Sequence, residues 1–506
     1  MPTRLSPSDL YTLHSPSRCE LRVWLLAHGE VPAPPGAFER MMEDIGRKHE
    51  RHHLDALGPD VISFQGLPRA ERERLTRQAV ADGAPAIYQP ALRAEVELDG
   101  ERIEVVGDPD FLIRTEEGYL VRDAKIAREI TEKDHPEIFR QLALYGWLYE
   151  RTFEVPPTVL EVYAGTEEIV PLPYDGAATA LHELAMIRAV RELPTEPYEP
   201  VGWSKCHDCG FKGHCWPRAV GRDDVSLVVG VDQGLARRLY DDGVRTIAAL
   251  GERFDPATLA ELKRPWGTRE QRVGTTKAPA ILRSAEALRD QREILVEPPA
   301  FPECANYVMF DLEGLQAILS NPEIIYLWGL QVFGERTGAF QAAVLEPGDT
   351  DDEGCWRQFL TYARTVRAEH GEDIPWVHWA SYEKTHVTAY IERWGDPDGT
   401  AQWVLSRLVD ALPITQRAIA LPLYSYSLKE IEKYLGYERS QEEFGGTWAM
   451  VKYIEAAESG DPAARQALMR EIVKYNREDL EAMWAVVEWL RDMGGRGRAG
   501  AGADER

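Results

Sequence analysis

No stretch of this sequence is apolar for long enough to cross a bilayer, which takes ~20 residues as a helix. The opening Met-Pro-Thr-Arg-Leu-Ser-Pro holds no hydrophobic segment of the kind that directs secretion. Both absences make the cytoplasm the expected compartment and argue against a membrane partner. The G-x-x-x-x-G-K-[ST] phosphate loop is missing as well, so the chain itself is not expected to be an ATP-driven helicase. Positive charge is scarce: 58 Lys and Arg face 84 Asp and Glu, a formal net charge of −26, which excludes a uniformly basic surface and leaves room only for a local basic groove. Cysteine is scarce too, with six in the chain, and a reducing compartment argues against a disulfide framework. Cys304 and Cys355 stand alone and read as inert.

What is present suffices for two to four domains with cores of their own in 506 residues. The chain divides into a first block at 1–220, a block expected to be wholly helical at 221–298, a strand-then-helix block at 299–492, and a tail at 493–506. Glu297-Pro-Pro-Ala-Phe-Pro302 marks the entry to the third block, and the Gly-Arg-Ala tail is expected to be disordered.

In the first block, Val-Val-Gly107-Asp-Pro-Asp110-Phe-Leu-Ile, a Glu-Glu-Gly turn at 116–118 and Tyr-Leu-Val-Arg-Asp123-Ala-Lys125 predict a β-hairpin. Such a hairpin brings Asp110 near Asp123 and places Lys125 on the face of Asp123. Two carboxylates that close repel by roughly 4 kcal/mol at an effective dielectric of ~20. A divalent cation removes that cost, and a lysine beside it orients a water, so the pattern suggests metal-dependent hydrolysis of a phosphodiester. The bland alternative is a solvated hairpin. His49, on a predicted helix, could offer an imidazole to the same cation or be an ordinary surface histidine. Gln141 and Tyr145, at i and i+4 on a later helix, share a face that could hold a phosphate or a half-buried tyrosine.

Taken in this order, His49, Gly107-x-x-Asp110, Asp123-x-Lys125 and Gln141-x3-Tyr145 resemble the motifs of the RecB-type PD-(D/E)XK nucleases, over roughly the first 220 residues. The resemblance implies His49, Asp110 and Asp123 as ligands of Mg2+ or Mn2+, Lys125 as the water-orienting residue, and Gln141 and Tyr145 as substrate contacts. The family permits Asp in place of Glu before x-Lys. Asp108 rivals Asp110 for its role, and Glu50 could join the site.

Cys206-x2-Cys209-x5-Cys215, with Cys19 far upstream, suggests a metal site. The split one-plus-three pattern resembles the iron–sulfur subgroup of these nucleases, which implies a structural 4Fe-4S cluster on Cys19, Cys206, Cys209 and Cys215. The alternative is a structural Zn2+ with His207 or His214 in place of Cys19.

In the second block, Leu227-Val-Val-Gly230-Val-Asp232 through Gly243 resembles a helix-hairpin-helix unit, in which backbone N–H groups meet a phosphate. Asp232 stands where many such motifs carry a second glycine and would weaken that contact, so a purely structural linker competes. Arg237 and Arg238 are possible backbone contacts.

In the third block, Asp311-Leu-Glu313 ends an apolar strand, Tyr382-Glu383 follows another, and Tyr475-Asn-Arg-Glu-Asp479 spans one helical turn. This order resembles the RNase H-like DEDD exonucleases of the tyrosine subtype, in particular the YprB-like branch, over about 304–492. It implies Asp311, Glu313, Glu383 and Asp479 as ligands of two cations, with Tyr475 positioning the attacking water. The middle motif usually carries Asp, so Glu383 is a departure. Asp410 reads as a supporting acid.

The expected fold is α/β multidomain: a PD-(D/E)XK restriction-endonuclease-like domain, a helical helix-hairpin-helix region and an RNase H-like domain. The expected activity is metal-dependent hydrolysis of DNA, single-stranded and from an end, with a second 3′-to-5′ module, beside a separate helicase or repair complex. The competing expectations are a nucleic-acid-binding adaptor with one or both sites inactive, and RNA as substrate of the second module.

Overall fold

The computed structural model describes residues 4–266, 269–441 and 445–501, with side chains described as far as Met493. It divides into two compact units, 1–199 with 205–214 and 317–322, and 200–204 with 215–316 and 323 onward. Each is mixed α/β, and no helix among the described residues is long and apolar enough to cross a membrane.

The first unit is built on a six-stranded sheet whose spatial order is Val61–Ser63, Ala86–Tyr88, Phe111–Arg114, Tyr119–Ala124, Leu160–Tyr163 and Ile169–Leu172. The expected hairpin forms its centre: Phe111 pairs with Arg122 and Arg114 with Tyr119, antiparallel. The Tyr119–Ala124 strand then runs parallel to Leu160–Tyr163. With a neighbour on each side it is buried from Tyr119 to Asp123, apolar over Tyr119, Leu120 and Val121 and carrying the charged Arg122 and Asp123 into the interior. Helix Pro136–Phe153 starts on a proline, which spares an N–H that would have no helical partner, and buries Ile138, Leu142, Tyr145, Leu148 and Tyr149 along one side. It packs tightly on strand Glu101–Gly107: a Cβ at Gly107 would lie 2.6 Å from a Leu148 methyl and 3.0 Å from the Tyr145 ring.

The second unit carries a five-stranded sheet in the order Gln341–Val344, Ile324–Gly334, Asn306–Leu315, Trp376–His378 and Leu408–Asp410. The first three strands are antiparallel and the last two join in parallel. Its core is aromatic: Phe310, Trp328, Trp356, Phe359 and Trp376 are fully buried, with Trp328 4.7 Å from Phe359. The long helix Pro462–Ala501 packs across strand Asn306–Leu315. At the crossing, Gly329 gives way to Asn476, because a Cβ there would stand 1.7 Å from Asn476 Oδ1. Gly329→Ala is expected to lower stability by about 3 kcal/mol through overpacking, read as a fall in melting temperature.

One expectation changes here. The 221–298 block is not wholly helical: strands Lys263–Trp266 and Arg269–Arg272 form an antiparallel pair. Pro265 has no N–H to continue a helix, and its carbonyl lies against Gly234, where a Cβ would come within 2.4 Å. At the C-terminal end the helix backbone is described to Ala501, and 502–506 lie outside the described residues.

Candidate functional site

The hairpin of the first unit brings Asp110 and Asp123 together by backbone register. The Asp110 N–H donates to Asp123 Oδ1 at 3.2 Å, and the Ala124 N–H donates to Asp110 Oδ2 at 2.8 Å. Lys125 Nζ is 2.5 Å from Asp123 Oδ2. Strand alternation sends Arg122 to the opposite face, where it binds Glu161 and His53. Burial, then Asp123 and Glu50, raise the Asp110 carboxyl well above the usual carboxylate range. Burial alone would lower Lys125, but Asp123 and Asp110 outweigh it and lift its pKa above the ordinary lysine value. Gln141 Nε2 donates to the Tyr145 hydroxyl at 3.1 Å. Tyr145 is pushed well up by burial, then by the charges of Asp123 and Asp110.

His49 stacks on Tyr163 at 4.6 Å, with Nε2 3.3 Å from the Tyr163 carbonyl, which also accepts the Lys125 N–H at 2.9 Å. Its neighbour Glu50 is the helix residue that acts on Asp110, and it accepts from Gln89 Nε2 at 2.8 Å. Gln89 also donates its N–H to the Asp110 carbonyl at 2.8 Å. Nothing in the sequence marks Gln89, since its part depends on a strand end meeting two other segments. Asp108 is drawn away by Arg69 and Arg72, at 2.7 and 3.1 Å. Carboxylate oxygens of the kind Asp110 and Asp123 bring together are the hard donors that Mg2+ or Mn2+ takes.

In the second unit, one ligand atom each from Asp311, Glu313 and Asp479 lies within 4.8 Å of the others. Strand alternation aligns the first two, and helix Pro462–Ala501 delivers the third. Burial comes first, then Asp479, in raising both Asp311 and Glu313 well above the carboxylate range. Asn476 Nδ2 donates to Asp311 Oδ2 at 2.7 Å. The buried Arg439 binds Glu432 through two hydrogen bonds of 2.6 and 2.7 Å and also pairs with Asp479. Tyr475 bonds Asp479 and is pushed well up, first by burial; Trp448 meets its ring edge-on at 5.8 Å and Lys429 Nζ lies 5.4 Å from the ring centre. Asn476 and Arg439 escaped the sequence reading; the position of Asn476 between Tyr475 and Asp479 was the available signal.

Glu383 stands apart from the three-carboxylate group, with Oε2 3.1 Å from His378 Nδ1. Burial raises its pKa against the pull of His378. Asp410 accepts the N–H groups of Ala380 and Leu412, at 3.0 and 3.1 Å, a supporting part in the loop that follows His378. The Asp311, Glu313 and Asp479 oxygens fit one cation directly, and Glu383 keeps its second carboxylate oxygen, Oε1, outside the His378 contact.

The cysteines divide between the units. Cys19, Cys206 and Cys209 lie in the first and Cys215 in the second. Burial, Glu199 and Cys209 push the Cys19 thiol up to about 12. Cys209 closes a turn onto the Cys206 carbonyl at 3.3 Å. Among the described residues the cysteines do not form a ligand group as close as the carboxylates. In the middle segment Asp232 caps helix Gln233–Asp241, accepting from Leu235 N–H at 3.0 Å, and is neutralised by Arg264 at 2.9 Å.

A family model of the PD-(D/E)XK nuclease superfamily matches residues 27–216, and one of the RNase_H superfamily matches 308–491. A solved structure titled "Crystal structure of SSO0001" is similar at 19% identity, covering 35% of this chain and 96% of that one, with a TM-score of 0.20. A search of curated proteins finds no match. The two buried carboxylate sites thus fall inside the two matched segments, and the chain carries a PD-(D/E)XK nuclease superfamily domain followed by an RNase H superfamily domain.

Proposed function

We propose that the protein is a divalent-cation-dependent DNA nuclease with two centres, the first acting on single strands from an end and the second removing nucleotides 3′ to 5′. The observation that carries this reading is the convergence of Asp311, Glu313 and Asp479 on one point of the second unit. Its counterpart is the Asp110–Asp123–Lys125 group of the first. A bound Mg2+ or Mn2+ supplies Lewis-acid polarisation of the phosphodiester. At the first centre Lys125 stands where an ammonium can orient water and offset charge developing on the phosphate, while Gln141 and Tyr145 present donors to the substrate. At the second, Tyr475 offers a hydroxyl beside Asp479.

Labelled single strands, DNA and RNA, digested in Mn2+ by wild type, Lys125→Ala and Asp311→Ala, test the reading. Each substitution is expected to remove one cleavage polarity and leave the other. Undiminished cleavage in both variants overturns it. The RNA strand decides whether the second centre takes RNA instead.

We further read 1–220, 221–298 and 299–492 as the functional division, with Gly230 and Arg237 of a helix-hairpin-helix segment meeting the DNA backbone. Asp232 does not stand against this, because Arg264 offsets its charge. The spacing of Cys19, Cys206, Cys209 and Cys215 supports a structural 4Fe-4S cluster. Anaerobically purified protein is expected to show the visible iron–sulfur absorption; zinc alone on metal analysis overturns the cluster.

A further inference from the structure

The second unit contains a cavity of about 490 Å³ that the carboxylate group does not use, lined by Trp203, Trp216, Trp379 and Tyr424 with Ser226 and Gln416. That volume lies in the ~300–1,000 Å³ range of small-molecule sites. All four rings are only half-buried. Trp216 meets Trp203 edge-on at 5.7 Å and Tyr424 at 5.9 Å. Trp379 is anchored by its Nε1, which donates to the Tyr426 carbonyl at 3.2 Å, so its ring is held in the wall. Ser226 is 7% exposed, and its hydroxyl has no hydrogen-bond partner. A buried hydroxyl in this state has lost water and gained nothing in return, unless a ligand completes it. The lining thus asks for a flat molecule with apolar faces and a polar edge.

The strand and helix that carry Asp311, Glu313 and Asp479 do not line the cavity, but two of its wall segments run on into Glu383 and Lys429, whose charges act on Asp311. Trp379 and Ala380 follow His378, the partner of Glu383, and the Ala380 N–H holds Asp410. Leu428, also in the wall, precedes Lys429, whose Nζ lies over the Tyr475 ring.

We infer that this cavity receives an unpaired nucleobase of the strand whose phosphate reaches the Asp311–Glu313–Asp479 group. The inference deepens the nuclease reading above and rests on it. A base supplies two π faces for the indole and phenol rings and a donor–acceptor edge for Ser226 and Gln416, and stacking of this kind tolerates any sequence.

The test uses the full chain in EDTA, with 2-aminopurine placed in turn along a single-stranded DNA. Emission is expected to be quenched at one position. Tyr424→Leu is expected to abolish the quench and weaken binding about 5- to 100-fold, while Tyr424→Phe keeps both. If Tyr424→Leu does not fold, an abasic residue at the quenched position in the wild-type complex gives the same loss. No quench at any position, or an equal quench in Tyr424→Leu, overturns the pocket. Because no cleavage occurs in EDTA, a protein that quenches but never cuts in Mn2+ refutes the nuclease reading alone, and one that cuts without quenching refutes the pocket alone.

Discussion

An Asp311→Asn protein is expected to lose about 10²- to 10³-fold of the cleavage rate of the RNase H-like centre, as removal of one charge-stabilising group does elsewhere. The substitution is nearly isosteric. Its amide oxygen can still accept from Asn476 Nδ2, which now lies 2.7 Å from Asp311 Oδ2, so the strand and helix keep their contact. What changes is the charge that would hold a cation. In metal-free protein the same change should stabilise the fold, because Asp311 sits among Glu313 and Asp479 within 4.8 Å. Each close pair of carboxylates there repels by on the order of 3 kcal/mol at an effective dielectric of ~20. Single-turnover cleavage in Mn2+ and melting in EDTA should therefore move in opposite senses. Activity and metal-free stability falling together would show that Asp311 is a structural residue.

Divalent ions are expected to act most strongly at neutral and higher pH. Asp110, Asp311 and Glu313 all have folded-state pKa values raised by burial first and by neighbouring acids second. A carboxyl raised in this way keeps its proton in the folded protein after the unfolded chain has released it. Stability of the metal-free protein therefore falls as pH rises past the ordinary carboxylate pKa, and the fall ends only above the raised values. Below the ordinary range both states are protonated and the penalty is absent. A cation that binds the folded state alone at 100 times its dissociation constant adds about 2.7 kcal/mol per site. Melting temperatures in EDTA and in Mn2+ should thus meet at acid pH, where protons compete for the ligands, and separate as pH rises. Parallel curves would mean that these carboxylates do not hold the ion.

The parts of the two sites that could be read from the chain are those set by local periodicity. Asp123 and Lys125 share a strand face, Asp311 and Glu313 share another, and Gln141 meets Tyr145 one helical turn on. The hairpin that joins Asp110 to Asp123 was legible because apolar strands flank a turn bearing Gly118, whose φ is +149°. The strand pair Lys263–Trp266 and Arg269–Arg272 was harder to read, because its strands are short and polar.

Choices among equivalent candidates belonged to the tertiary structure. Asp108 and Asp110 differ little as sequence, and only the reach of Arg69 and Arg72 removes the first. His49 and Glu50 are adjacent, yet the fold sets the imidazole against the Tyr163 carbonyl that Lys125 N–H also meets, and sets Glu50 to act on Asp110. Nothing in the sequence signals that His378 pairs with Glu383. The sequence by itself determined which strands and helices carry the acids and which faces those acids share. Only the tertiary structure decided which acids meet, since a carboxylate takes its partner from whichever segment arrives across the fold, and burial then makes that encounter count.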